Sequence, residues 1–89
     1  MKIVINNCYG GFSLSKEACE FLGAKSAYEY SDDNNRNDPR LVECVETLGD
    51  KANGDSARLH VVEIPDDVDW YIDEYDGIES IHERHRIWY

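Results

Sequence analysis

Asp38-Pro39 opens, and Gly49 closes, the stretch of this chain whose pattern most firmly fixes one secondary structure. An aspartate before a proline puts a capping acceptor ahead of a residue whose fixed φ and missing N–H suit the first helical position. Leu41, Val42, Val45 and Leu48 then recur at helical spacing, and Gly49 closes the helix. Such a helix has one apolar stripe, which the rest of the chain must cover. With 89 residues there is room for a single domain, residues 1–89, to do so.

Residues 2–6 begin that cover. Ile3, Val4 and Ile5 are β-branched and apolar throughout, which predicts a central strand with both faces buried, ending at the turn-favouring Asn6-Asn7. In Cys8-Tyr9-Gly10-Gly11-Phe12 the paired glycines permit positive φ and a sharp bend. Ser13 or Ser15 can cap a short helix over 14–22, with Leu14, Ala18, Phe21 and Leu22 on one stripe and Gly23 as its stop. Residues 27–30 read as a brief strand and 31–37 as a long loop or a disordered segment. Asn53-Gly54 marks a turn, and a strand over 59–64 ends at Pro65. The period is two again over 69–75, and Asp76-Gly77 is a strong hairpin-turn dipeptide. Residues 78–83 are expected as a helical turn or irregular crossing, and 84–88 as a final strand. The sum is an α+β domain, with a small antiparallel or mixed sheet of about 4–5 strands and two helices.

Charge narrows the partners. Asp plus Glu number 19 against 9 Lys plus Arg, a net charge of −10. Residues 1–24 sum to zero, 25–62 to −3, and 63–89 hold nine acids against Arg84 and Arg86, for −7. That field opposes a long nucleic acid or an anionic membrane as partner, while a small anion can still approach the nearly neutral first two-thirds. Cys8, Cys19 and Cys44 are odd in number with no C-x-x-C pair, which fits reduced thiols and a cytoplasmic location. The apolar run at 3–5 is shorter than the roughly 7–15 residues of a secretion signal, and no segment approaches the ~18–20 of a membrane span.

Several constellations invite chemistry. His82 and His85 are three apart, whereas a helical zinc pair needs four and a third ligand, so no metal is expected. Aligning Gly77 with the glycine of a calcium loop puts Ile72 at the first ligand position, where an apolar side chain coordinates nothing. Asp73 and Asp76 read as solvated surface carboxylates. Cys8 beside a glycine bend suits a nucleophile, but a free cysteine at a strand end is more often a small buried hydrophobe. No nucleophile–base pair can be assembled from the spacings, so neither an enzyme nor a cofactor is expected. Tyr9-Gly10-Gly11-Phe12 suits a binding loop, its N–H groups free for a carboxylate or phosphate and its rings able to stack; glycines that only turn the chain explain it equally well. Arg86-Ile87-Trp88 offers a cation for phosphate and a ring for a base, or an ordinary salt bridge and a core tryptophan.

The blocks Met1-Lys-Ile-Val-Ile-Asn, Cys8-Tyr-Gly-Gly-Phe-x-Leu-Ser, Asn37-Asp-Pro-x-Leu-Val, Leu48-Gly, Ala52-Asn-Gly, Val61-Val-Glu-Ile-Pro-Asp-Asp-Val-x-Trp, Glu74-Tyr-Asp-Gly and His85-Arg-x-Trp resemble a group of small phage and prophage proteins. Through them the chain resembles counter-defence proteins of the Thoeris anti-defence type, oligomeric sponges that sequester cyclic nucleotide-derived immune signals without cleaving them. Members often carry a longer segment between the first helix and the Asn-Asp-Pro helix, so a site built from that segment is in doubt here. The resemblance implies a homo-oligomer with a non-enzymatic pocket between protomers, and Tyr9, Phe12, Arg36, Arg86 and Trp88 as the positions facing the ligand, with Gly10 and Gly11 in the loop between. The alternative expectation is an acidic inhibitor whose carboxylates over 63–83 imitate a nucleic-acid backbone and bind a host defence protein.

Overall fold

The computed structural model describes residues 1–84. Its elements are β1 (Lys2–Asn6), α1 (Lys16–Leu22), a 3₁₀ turn (Asp33–Asn35), α2 (Pro39–Leu48), a second 3₁₀ turn (Gly49–Ala52), β2 (Leu59–Glu63), β3 (Trp70–Tyr75) and β4 (Ile78–Glu83). The architecture is α+β. The helix at 39–48 forms as its residues dictate, with Asp38 Oδ1 accepting from Arg40 N at 2.8 Å and Pro39 in the first turn. Leu41, Val42, Cys44 and Val45 are buried on its inner stripe, against Ala18 and Leu22 of α1, Val4 of β1, Leu59 of β2 and Phe12 and Leu14 between β1 and α1. Removing a buried side chain the size of Leu41 from such a core costs about 2–5 kcal/mol.

Helix α1 starts two residues later than the stripe predicts, because Ser15 is its cap: Ser15 Oγ accepts from Ala18 N at 3.0 Å. Leu14 instead bridges to Asn53 and is buried there. Gly23 ends the helix in the left-handed region, with φ 68°.

β1 and β2 pair antiparallel, Val4 opposite Val61, and β3 and β4 pair antiparallel, Ile72 opposite Ile81. The four strands thus lie in two two-stranded sheets rather than in one. The second edge of β1 explains the division. Val4 N donates to Arg36 O at 2.9 Å and Asn6 N to Glu79 Oε1 at 2.8 Å, so a loop carbonyl and a side-chain carboxylate occupy donors that a third strand would need. β1 is buried on both faces as expected, with Ile3 and Val4 fully buried, but in a two-stranded sheet it is not the central strand that its residues predict.

Three local expectations change. Residues 78–83 are strand β4, because Asp76 and Gly77 both adopt positive φ, 52° and 88°, and turn the chain straight back along β3. Residues 27–30 form turns rather than a brief strand, closed by Glu29 N to Ser26 O at 3.2 Å and Ser31 N to Tyr28 O at 3.1 Å, and Tyr28 is exposed. The polar stretch 31–37 winds through its 3₁₀ turn and ends on the buried Arg36. Arg84 N extends the hairpin by donating to Asp69 O at 2.7 Å, and the rest of the strand expected over 84–88 lies outside the described residues. No helix among the described residues is long and apolar enough to cross a membrane.

Candidate functional site: a cleft between the glycine loop and the hairpin turn

Asn6, at the end of β1, joins the two walls of the site. It is fully buried, and its Nδ2 donates to Cys8 O and to Gly77 O, each at 2.7 Å. Its Oδ1 accepts from Arg58 N at 2.7 Å. One amide thereby ties the loop that follows β1 to the turn of the β3–β4 hairpin. The approach is close enough to require glycine at 77: a Cβ there would stand 2.2 Å from Tyr9 O and 2.5 Å from Gly11 N.

Below this junction lies a buried ion pair. Arg36 Nη1 and Nη2 donate to Glu79 Oε1 and Oε2 at 2.6 and 2.7 Å, a two-pronged contact between side chains that are 3% and 7% exposed. Arg36 also donates through Nε to Ser31 O at 3.0 Å and through Nη1 to Val4 O at 3.3 Å. Its guanidinium carbon sits 3.9 Å from the centroid of the Phe12 ring. Glu79 neutralises Arg36, and Phe12 lies under it. No buried side-chain nitrogen or oxygen among the described residues lacks a partner.

An open cleft of about 770 Å³ runs along these groups, within the size range of small-molecule sites. It is lined by Tyr9, Gly10, Gly11, Phe12 and Arg36, positions that the resemblance implies for a pocket between protomers, and also by Ser31, Glu74, Asp76, Gly77 and Glu79. Two of the expected roles change. Arg36 is 2% exposed and held by Glu79, so it is a strut of the cleft floor rather than a free phosphate ligand. Phe12 is 7% exposed with one face against that guanidinium, so it is core, and Tyr9, 72% exposed, is the ring left for stacking. Arg86 and Trp88 lie outside the described residues. In the sequence Asn6 reads only as the turn-favouring end of β1, Glu79 only as one of the carboxylates over 63–83, and Asp76 as plain surface. The Asp76-Gly77 turn was legible, and only its contact with the Gly10-Gly11 bend was not.

Elsewhere on the hairpin Ser80 Oγ lies 2.8 Å from His82 Nε2, and Asp73 Oδ2 lies 3.9 Å from the same nitrogen. A hydrolytic triad needs its carboxylate on the opposite ring nitrogen, so these three groups do not form a relay. Tyr71 stacks on His82 at 5.5 Å between centroids, and Arg84 lies over Tyr71. Cys8 is half-buried, with its carbonyl held by Asn6. Burial pushes the thiols of Cys44 and Cys19 above the ordinary cysteine value. Among the described residues no group of three or more histidine, cysteine or acidic side chains is placed to hold a metal ion.

Fold and site together define a small α+β protein with a braced, open, acid-rimmed cleft. Set against known proteins, the chain matches no family model, no curated protein and no solved structure.

Proposed function

We propose that this chain is a non-enzymatic counter-defence protein of the phage type, which binds and sequesters a small nucleotide-derived immune signal in the cleft beside Tyr9. The observation that carries the reading is the convergence of the Tyr9–Phe12 loop, Arg36 and the hairpin turn on one cleft of about 770 Å³ from three separate parts of the chain. The sequence blocks that resemble anti-defence sponges include both walls, Cys8-Tyr-Gly-Gly-Phe and Glu74-Tyr-Asp-Gly. Bracing by Asn6 and by Arg36–Glu79 supports it further, since walls fixed before binding lower the ordering cost that a ligand must offset. The protein acts in the cytoplasm, that of the host where a phage encodes it. It works as a homo-oligomer in which a second copy covers the open side of the cleft.

The test is a thermal-shift screen of the full chain against cyclic nucleotides and ADP-ribose derivatives. A ligand that binds the folded state alone must raise its melting temperature, so a shift of several degrees at saturation is expected. No shift with any of them contradicts the reading.

One observation favours a second reading, an acidic inhibitor of a host defence protein by nucleic-acid mimicry. Asp73, Glu74 and Asp76 are exposed along the turn end of the hairpin, and Asp66, Asp67 and Asp69 are exposed ahead of it. Such a face attracts a basic partner, with binding that weakens steeply as salt rises. Pull-down from bacterial lysate at low and high salt tests it, and recovery of no nucleic-acid-binding or defence protein counts against it.

A further inference from the structure

The charge of the cleft decides which end of a ligand it takes. Arg36 has four of its five N–H donors committed to Ser31 O, Val4 O and the two Glu79 oxygens, and its charge is matched by Glu79. Among the described residues that line the cleft, the remaining charges are the carboxylates of Glu74 and Asp76. Glu74 uses Oε2 to accept from Gly77 N at 2.6 Å, which fixes that carboxylate at the turn. Asp76 has no ion pair among the described residues, and its positive φ of 52° holds it at the first position of the turn, beside Gly77. Tyr9 presents a largely exposed ring on the same rim.

A rim of carboxylates repels a phosphate and attracts N–H donors, and an exposed ring adds a surface for stacking. Carboxylates accept from the amino edge of a base in the way that Glu and Asp read the amino group of cytosine. We infer that the cleft takes its ligand base-first: the amino-bearing edge of a nucleobase donates to Glu74 and Asp76, its face stacks on Tyr9, and the phosphates stay outside. Glu74 and Asp76 are then specificity-determining residues. This inference rests on the cleft being the nucleotide site.

The experiment titrates the full chain with adenosine, ADP-ribose and ribose 5-phosphate by calorimetry, for the wild type and for Glu74→Gln with Asp76→Asn. Asparagine tolerates positive φ and glutamine keeps an acceptor for Gly77 N, so the double variant folds, as its circular dichroism and melting curve will report. Expected are adenosine binding within about tenfold of ADP-ribose, no binding of ribose 5-phosphate, and a loss of about tenfold for adenosine in the double variant. Binding of ADP-ribose without adenosine, or tighter adenosine binding by the double variant, overturns the base-first inference and leaves the nucleotide reading standing. Absence of binding by adenosine and ADP-ribose alike overturns the base-first inference, and absence of a thermal shift with every cyclic nucleotide as well overturns the nucleotide reading.

Discussion

Arg36 and Glu79, separated by 43 residues, meet as a two-pronged buried ion pair that fastens the β3–β4 hairpin to the strand β1 body. The guanidinium also holds the carbonyls of Ser31 and Val4, and the carboxylate also accepts from Asn6 N, so the pair serves three further backbone groups, two of them in β1. Its desolvation costs enough that the pair is weak evidence for net stability; its consequence is position, because the cleft exists only while the hairpin turn lies on the glycine loop.

Glu79→Leu is expected to destabilise the protein by about 3–5 kcal/mol, since it leaves a buried guanidinium uncompensated. For a domain of this size that is a large share of the whole stability, roughly 0.05–0.15 kcal/mol per residue. Adding Arg36→Met is expected to recover part of the loss, but not all, because Asn6 N, Val4 O and Ser31 O would still lack the partners they have now. Urea unfolding of both variants checks this; a double variant less stable than the single one contradicts it.

Gly77→Ala and Gly11→Ala separate close approach from backbone strain. Both glycines have positive φ, 88° and 87°, but a Cβ at Gly77 would collide with Tyr9 O, while one at Gly11 meets nothing within 4 Å. Gly11→Ala should cost about 1 kcal/mol, a fall of roughly 4–8 °C in melting temperature. Gly77→Ala should cost at least about twice that. Equal falls in paired melting curves would mean that the loop and the turn do not touch.

Tyr9→Ala should leave stability within about 0.5 kcal/mol, because the side chain is largely exposed and makes no core contact. Stacking on a base is worth about 1–3 kcal/mol, so ADP-ribose affinity should fall about tenfold or more. Calorimetry beside a melting curve on the same preparation separates the two effects.

The buried thiols set an alkaline limit. Burial first, and then proximity to Cys19, raises the Cys44 thiol above its ordinary value of 9.0. In the unfolded chain that thiol ionises near the ordinary value, while the folded state keeps its proton to higher pH. The unfolded state therefore binds fewer protons across that window, and stability, intact below about pH 9, declines as pH rises toward the folded value. The urea midpoint of the wild type should drop more between about pH 8 and about pH 10 than that of Cys44→Ala, in which this group is gone. Equal drops would show that the thiol is not shielded.

How much of this was legible depends on how local each cause is. Asp38, Pro39 and the Leu41–Leu48 stripe act within one helix, and the helix is where they put it. Asp76-Gly77 likewise specifies its own turn, although the residues of β4, which the turn creates, read as a helical turn or irregular crossing, because Ile78 and Ile81, three apart, share a helical face and fall on opposite faces of a strand. Arg36 shows the opposite case. Nothing near it in the chain says that it will be buried, since the carboxylate that neutralises it arrives from β4. An arginine beside a polar loop reads as a free cation until that partner is known. The loop Tyr9–Phe12 was legible as a bend, but which of its two rings points outward follows from the Arg36 guanidinium that covers Phe12. Glu74 and Asp76 became candidate site residues through Asn6, which holds Gly77 against the loop from 71 residues away.

The most direct test of the central claim is a titration of ¹⁵N-labelled protein with ADP-ribose, followed by the backbone amide signals in two-dimensional NMR. The account predicts saturable shifts confined to Tyr9, Gly10, Gly11 and Gly77 and their neighbours around the cleft. Shifts centred instead on the smaller cleft of about 380 Å³ beside Ser13, Tyr28 and Gly54, or no shift at saturating ligand, would contradict it.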